Sequence, residues 1–186
     1  DAASGKGAAA APTAASSSGG VESGTGEDAV PDEIVKAAMQ GDEAVLAWLD
    51  GGGRVDATFT HKGVSGITLL MGAAFYGHER LAVALLQRGA STDLQDSDGF
   101  TALMFAARDG HEQLVEVLLQ HGAEINLQDG HGFTVLVGAA GQGHENVVDT
   151  LIRHGAEINL QSSHGDNALM IAAQRGQERV VELLLR

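Results

Sequence analysis

A paired alanine recurs at a fixed interval through most of this chain, and this recurrence limits the possible folds more than any other feature. The interval is 33 residues, with one earlier step of 36 residues. The pairs are Ala37-Ala38, Ala73-Ala74, Ala106-Ala107, Ala139-Ala140 and Ala172-Ala173. Self-similarity at a period of about 20 to 50 residues is typical of stacked repeats, in which each unit buries its apolar face against its neighbours. The sequence therefore predicts a solenoid.

Each unit contains the signals of two short helices. The first helix is expected to begin after a residue whose side-chain oxygen can cap it. These residues are Thr68, Thr101, Thr134 and Asn167. In the second helix, apolar residues spaced three and four apart, such as Leu114, Val117 and Leu118, predict one buried stripe. The second helix is expected to end at a glycine, where a left-handed backbone carries no steric penalty. These glycines are Gly89, Gly122 and Gly155.

The segments between units predict turns that project from the helices as fingers. Residues 123–132, for example, combine a short extended run with Asp and Gly, which favour turns. Residues 56–66 hold the three additional residues of the 36-residue step. We therefore expect this finger to be longer than the others or irregular.

Four successive units share one pattern. They read GITLLMGAAFYGHERLAVALLQRGA (66–90), GFTALMFAARDGHEQLVEVLLQHGA (99–123), GFTVLVGAAGQGHENVVDTLIRHGA (132–156) and GDNALMIAAQRGQERVVELLLR (165–186). The pattern resembles the ankyrin repeat, and the resemblance covers residues 32–186 as about five units, with the first and last incomplete. It implies an all-α fold: an ankyrin-repeat solenoid of stacked helix-turn-helix units with β-hairpin-like fingers.

The chain departs from the family's usual Thr-Pro-Leu-His at the start of the first helix. The unit that begins at residue 66 reads Thr68-Leu69-Leu70-Met71 instead. Loss of the proline removes some preorganisation of the first turn, and methionine replaces a hydrogen-bonding histidine with an apolar contact. We expect the fold to tolerate both changes.

The domain organisation follows from composition. Residues 1–31 are rich in Ala, Gly and Ser and carry scattered acids, so they are predicted to be a disordered acidic tail. Pro31-Asp32-Glu33 has the proline and acids typical of a helix start, so the ankyrin repeat domain is expected over residues 32–186. Because the chain begins with Asp1 rather than Met, we expect it to be part of a longer protein.

Charge and cysteine content disfavour several classes of function. The chain has 25 acidic and 11 basic residues and a formal net charge of -14, which opposes binding to a phosphate backbone. It has no cysteine, so disulfides, zinc ribbons, iron–sulfur clusters and cysteine nucleophiles are excluded. No apolar run reaches the roughly 18 residues of a membrane span. These features favour an intracellular protein, cytoplasmic or nuclear, that does not bind nucleic acid.

No constellation in the sequence supports catalysis, a cofactor or a metal site. His78-Glu79, His111-Glu112 and His144-Glu145 begin a metalloprotease-like HExxH pattern, but Ala82, Val115 and Val148 replace its second histidine. We interpret these histidines as supports of the turn before the second helix. The repeat-equivalent pairs His131 with His164 and His121 with His154 lie on separate steps of the stack, which does not favour a chelate. We therefore expect no enzyme activity within this chain.

Two further groups of polar residues have alternative interpretations. Asp96, Asp98, Asp109 and Asp129 are predicted to form a solvated acidic face rather than an acid–base pair. Asn126 and Asn159 resemble the ankyrin-repeat asparagines that asparaginyl hydroxylases modify. The alternative, which we favour, is that each amide holds the backbone of its own finger.

The resemblance also implies where a partner binds, because ankyrin-repeat proteins usually dock partners on the concave side formed by finger tips and first helices. The matching positions are Ile67, Phe75, Tyr76, Ser97, Asp98, Phe100, Arg108, Asp109, His131, Phe133, Gly141, Gln142, His164, Asp166, Gln174 and Arg175. Aromatic residues beside an arginine are enriched at interface hot spots. The alternative for Phe100 and Phe133 is that they only pack against the neighbouring finger. The acidic rim favours a partner with a basic segment.

The sequence thus predicts a scaffold or adaptor that binds a partner protein. A targeting or regulatory array of a larger enzyme, with its catalytic domain outside this chain, remains an alternative. The apolar run from Val180 to Leu185 has no polar capping unit after it, so either further repeats follow in the native protein or this face associates. Self-association is therefore a third possibility.

Overall fold

The structure is a computed structural model that describes residues 30–186. Over this part of the chain, helices alternate with fingers in the predicted order. The elements are α1 (Asp32–Gln40), α2 (Ala44–Asp50), β1 (Thr58–His61), β2 (Val64–Thr68), α3 (Leu69–Tyr76), α4 (Glu79–Gln87), α5 (Ala102–Arg108), α6 (Glu112–Gln120), α7 (Val135–Gln142), α8 (Glu145–Arg153), α9 (Ala168–Gln174) and α10 (Glu178–Leu184). Of the predicted disordered tail, residues 1–29 lie outside the described residues. Val30 is buried and Pro31 directly precedes α1.

Four first helices, α3, α5, α7 and α9, begin as predicted, each after a side chain that accepts a hydrogen bond from the third helical residue. The accepting oxygens of Thr68, Thr101, Thr134 and Asn167 lie 3.2, 3.3, 3.4 and 3.0 Å from the donating amide nitrogens. Met71 differs from the expected apolar contact, because its sulfur also accepts a hydrogen bond from the Thr68 amide at 3.4 Å. The thioether thus closes a capping box at the start of α3.

The helices stack into two layers. The first helices α1, α3, α5, α7 and α9 pack in succession, and so do the second helices α4, α6, α8 and α10. All of the paired alanines except Ala173 are buried, because their small side chains let successive first helices approach closely. On α6 the buried residues are Leu114, Val115 and Leu118. Val117 of the predicted stripe is half-buried and packs against the same core. Val115, which the predicted stripe did not include, is also buried, because α6 packs against α4, α5 and α8 and so buries a wider apolar face.

A histidine before three of the second helices connects each repeat to the one before it. The Nε2 atoms of His78, His111 and His144 donate to the carbonyl oxygens of Met39, Phe75 and Arg108 at 2.8, 3.2 and 3.0 Å. The carbonyls belong to the first helix of the preceding repeat, or lie at its end. The histidine side chains therefore satisfy carbonyl groups of the preceding unit. Support of the turn before the second helix stays a prediction.

The fingers are built around one residue that binds its own backbone. Asp96 Oδ1 accepts hydrogen bonds from the amides of Asp98 and Phe100 at 3.0 and 2.9 Å. Asp129 accepts in the same way from His131 and Phe133, at 2.8 and 2.9 Å. Asp96 is buried, so its assignment to a solvated acidic face was wrong. The reason is that an aspartate at this place folds inward to close the turn.

The finger over residues 56–66 is longer than the others and irregular, as predicted. β1 and β2 pair antiparallel, with Thr58 opposite Thr68 and a shift of register between Phe59 and His61. Lys62 and Gly63 form the turn with φ of 51° and 88°. The hairpin extends beside the first helices and forms one end of the surface described next.

Candidate protein-binding groove

Finger tips and first helices form one continuous surface, which we call the groove face. It contains two neighbouring pockets. The first pocket, of about 270 Å³, lies between the β1–β2 hairpin and the helices α3 and α5. The second pocket, of about 220 Å³, lies between α5, α7 and α9. Phe100 and Arg108 line both pockets and form the wall between them.

Four aromatic rings and one arginine form the centre of the groove face. We call Phe75, Tyr76, Phe100, Phe105 and Arg108 the aromatic cluster. The ring centroids of Phe75 and Phe105 lie 5.7 Å apart, and those of Phe100 and Phe105 lie 5.2 Å apart. The Arg108 guanidinium carbon lies 5.4, 5.5 and 5.3 Å from the Phe75, Phe100 and Phe105 ring centroids. These distances are within the range of cation–π attraction.

The rings of the aromatic cluster differ in how much solvent they meet. Phe75 and Tyr76 are 39% and 44% exposed. Phe100 and Phe105 are half-buried and pack against the core, as does Phe133 in the second pocket. Phe100 and Phe133 each pack against the core and also line a pocket. Binding of a partner by these rings stays a prediction.

Phe105 was missed by the sequence analysis, although its signal is present in the repeat. The equivalent residues of the other units are Lys36, Gly72, Gly138 and Ile171. The units before and after have glycine at this position, so a phenylalanine here departs from both neighbouring units. Comparing units position by position, rather than with a family pattern, would have found it.

The other predicted residues divide into those that line a pocket and those that do not. Those lining the first pocket are Ile67, Phe75, Tyr76, Asp98, Phe100 and Arg108. Those lining the second are Phe100, Arg108, Phe133, Gly141, Gln142 and Arg175. Ser97, Asp109, His131, His164, Asp166 and Gln174 line neither. Ser97 connects two fingers, because its hydroxyl accepts from the Ser65 amide at 3.1 Å and its amide donates to the Ser65 carbonyl at 2.8 Å.

The charges of the groove face are mixed at its centre. Arg108 forms an ion pair with Asp109, with 3.4 Å between Nε and Oδ1. Asp98 has an exposed carboxylate beside the first pocket, while its carbonyl oxygen accepts from the Gly130 amide of the next finger at 2.8 Å. Arg175 is exposed beside the second pocket and donates to the Gly141 carbonyl at 3.3 Å. A partner therefore meets an aromatic centre with acidic and basic groups around it.

Residues 30–186 contain no group of three or more His, Asp or Glu side chains arranged to hold a metal ion. The equivalent histidines His121 and His154 point to different partners. His121 Nδ1 donates to the Val117 carbonyl at 2.8 Å, whereas His154 Nε2 lies 3.2 Å from Glu116 Oε2. Within the same residues, no helix is long and apolar enough to cross a membrane.

Asn126 connects two repeats. Its Oδ1 accepts a hydrogen bond from the Glu157 amide at 2.9 Å, and its Nδ2 donates to the Glu157 carboxylate at 3.3 Å. The expectation that this amide holds the backbone of its own finger was therefore wrong, because the next finger lies within reach of it. Asn159, at the equivalent position of the following unit, is exposed.

Comparison with known protein families identifies the repeat. A family model described as "Ankyrin repeats (3 copies)" matches residues 34–129 and 126–186. No curated protein matches the chain. The matched residues include both pockets and the whole aromatic cluster.

Proposed function

This chain belongs to the ankyrin-repeat family, and from that premise we propose that it is a scaffold or adaptor that binds a partner protein on the groove face. Ankyrin repeats are generally protein–protein interaction modules. The observation that carries the proposal for this surface is the aromatic cluster, in which Phe75 and Tyr76 are exposed beside Phe100, Phe105 and Arg108.

The physical argument rests on what these rings gain when a partner covers them. Phe75 and Tyr76 still expose apolar area that burial would stabilise, at about 25 cal/mol for each Å². Arg108 lies close to three rings, so the cluster is preorganised and a partner orders few side chains on binding. Aromatic and arginine side chains dominate the measured binding energy of most interfaces. The cluster is therefore the expected hot spot.

Charge supports a partner with a basic segment. The formal net charge of the chain is -14, and the exposed Asp98 and Asp109 lie beside the aromatic cluster. Attraction between unlike charges speeds association and weakens as salt screens it. We expect partner binding to be faster at low ionic strength, with a smaller effect on dissociation.

The proposal assigns binding and not catalysis to this chain. A targeting or regulatory array for a larger enzyme, with its catalytic domain elsewhere, would use the same surface and is the alternative. We also propose an intracellular setting, cytoplasmic or nuclear, because the sequence has no cysteine with which to form disulfides.

Self-association is a second candidate function, and a different surface favours it. Met170 on α9 is 52% exposed, and Leu185 after α10 is 68% exposed. Leu169 and Leu183 are half-buried in the same unit. A second copy of this chain would cover this apolar end of the stack.

The test of the scaffold proposal is capture of partners from a lysate with the full chain and with Phe75→Ala/Tyr76→Ala. We expect specific partners to bind the native chain at least tenfold more than the double variant, because two interface anchors are truncated. Leu94→Ala is the matched control, since Leu94 is 37% exposed but lines neither pocket. Circular dichroism checks that each variant stays helical. Equal capture by the native chain and the double variant would contradict the proposal.

A further inference from the structure

One position of the first helices alternates between small and large residues. Gly72, Phe105, Gly138 and Ile171 occupy this position in successive units. Gly72 lines the first pocket and Gly138 lines the second. Phe105 lies on the helix between them, so the two pockets are separated by a ridge that carries this ring.

The backbone does not require glycine at either pocket. Neither Gly72 nor Gly138 has a positive φ. A Cβ at Gly72 would meet Phe59 Cζ at 3.8 Å and Ala38 Cβ at 3.9 Å, which are ordinary contacts. At Gly138 the nearest atom is Arg108 Cβ, at 4.0 Å. Glycine in a helix interior is less stable than alanine, so Gly72 and Gly138 lower the stability of α3 and α7. Their lack of a side chain leaves the pockets open.

The size of each pocket fits one large apolar side chain. At about 270 and 220 Å³, each pocket has room for one large side chain and lies near the lower end of the volume range of ligand pockets. The walls are largely apolar. They include Phe59, Ile67 and Met71 in the first pocket, and Met104, Phe133 and Ile171 in the second. A leucine, methionine or phenylalanine side chain is the occupant that such walls favour.

The distance between the two pockets indicates the backbone conformation of a segment whose side chains fill both of them. α3 packs on α5, and α5 packs on α7. Packed helices lie about 8–10 Å apart, so the two glycines are separated by roughly 16–20 Å. Along an extended strand, side chains on one face recur about every 6.6 Å, so residues i and i+6 are about 20 Å apart and face the same way.

We propose that the groove face binds an extended segment of a partner protein, which places two large apolar side chains six residues apart into the pockets at Gly72 and Gly138. This inference rests on the proposed function and specifies the partner. Between the two anchors, the segment crosses the ridge beside the exposed carboxylate of Asp98, whereas Asp109 is already paired with Arg108. Charge complementarity therefore favours a lysine or arginine between the anchors.

The experiment is display selection of random sixteen-residue peptides on the full chain, followed by titration of labelled synthetic peptides by fluorescence anisotropy. We expect the enriched peptides to share two large apolar residues six apart, with a basic residue between them. Gly72→Leu and Gly138→Leu each fill one pocket and should weaken the selected peptides at least tenfold. When one peptide anchor is replaced with alanine, the peptide's affinity should no longer change when the pocket for that anchor is filled. Filling the other pocket should still weaken this peptide.

Two kinds of control accompany the leucine variants. Gln87→Leu adds the same side chain at an exposed position on α4, which lines neither pocket, and should leave binding unchanged. Gly72→Ala and Gly138→Ala add a methyl group with ordinary contacts, so they take the place of a leucine variant that loses its helical circular dichroism. For peptides with phenylalanine anchors, the alanine variants should weaken binding at least twofold.

Several outcomes would overturn the inference. One is that no peptide is selected. Another is that the selected anchors lie about 11–13 residues apart, the spacing that a helical segment would need at 1.5 Å per residue. A third is that filling either pocket leaves the affinity unchanged. If partner capture depends on Phe75 and Tyr76 but is insensitive to pocket filling, the proposed function stands and this inference fails. If neither set of variants affects capture, both fail.

Discussion

Asp96, Asp129 and Ser162 occupy equivalent places in three fingers and form the same turn with different chemistry. Each accepts hydrogen bonds from the amides two and four residues later. The hydroxyl of Ser162 forms the turn without charge, so the turn needs an acceptor and not an anion. Burial of Asp96 raises the pKa of its carboxyl above the ordinary value, although its backbone hydrogen bonds oppose this shift.

The shifted pKa of Asp96 predicts a pH dependence of stability. The folded chain holds this proton more tightly than the unfolded chain does. The stabilisation is therefore complete below the ordinary pKa of 3.8 and is lost as pH rises through the folded pKa. Asp96→Asn keeps an acceptor and cannot ionise. Thermal melting should show this variant gaining stability relative to the native chain as pH rises through that window.

The exposed Glu124 offers the matched control for this measurement. Glu124→Gln should follow the native chain more closely than Asp96→Asn does, since its side chain meets solvent in both states. A constant difference in melting temperature between Asp96→Asn and the native chain, from acid to neutral pH, would contradict the argument from burial.

At the scale of the element, α7 contains two glycines with different surroundings. A Cβ at Gly138 would lie 4.0 Å from its nearest neighbour, Arg108 Cβ. A Cβ at Gly141 would lie 3.0 Å from Ile171 Cγ2 and 3.3 Å from Arg175 Nη1, which is crowded. The same helix therefore has one glycine that leaves a pocket open and one that permits close packing against α9.

This difference predicts opposite results for two alanine variants. Gly138→Ala should raise the free energy of unfolding by about 0.5–1 kcal/mol, because alanine is the better helix former and meets no clash. Gly141→Ala should gain less than this or lose stability, because Ile171 must move. Urea denaturation followed by circular dichroism measures both. A loss at Gly138 as large as at Gly141 would show that the pocket has less space than the geometry indicates.

The starts of the capped first helices and the glycines that end the second helices could be predicted from sequence because capping is local. Thr101 caps the amide of Met104, three residues away, and Gly122 ends the second helix with its own backbone conformation. The prediction failed where a residue reaches the next unit. Asn126 binds Glu157 in the next finger, and no local signal distinguishes this from a bond within one finger.

At the scale of the whole molecule, the last unit exposes apolar side chains. Met170 and Leu185 are 52% and 68% exposed, whereas the equivalent residues of the preceding repeat, Val137 and Ile152, are buried and half-buried. A solenoid stabilises each repeat through its neighbours, so an uncovered face favours association. The self-association candidate described above follows from this face alone and does not involve the groove face.

We expect the mass of the native chain, measured by sedimentation equilibrium, to increase with concentration from monomer toward dimer. Met170→Lys should return it to a monomer at the same concentrations, because a buried unpaired charge is costly. Leu94→Lys, at an exposed residue away from α9 and α10, is the control and should behave as the native chain does. A native chain that stays monomeric at every concentration would refute this candidate.

Part of the groove face could be predicted from the sequence. Phe75, Tyr76, Phe100 and Arg108 were identified from their repeat positions, and the structure brings them together. Phe105 was not, because the meaning of a ring at that position depends on the glycines 33 residues before and after it. The ridge formed by Phe105 between the two pockets exists only once α3, α5 and α7 have packed side by side.

The sequence by itself determined the repeat period, the helix boundaries and the family, because periodicity and capping depend on residues a few positions apart. The tertiary structure decided which polar groups are buried and which cavities remain. Asp96 is buried and His111 donates to the Phe75 carbonyl because each lies against a residue that another part of the chain supplies. The physical reason is that burial and cavity volume are properties of packed neighbours, and a repeat sequence specifies its neighbours only after the units have stacked.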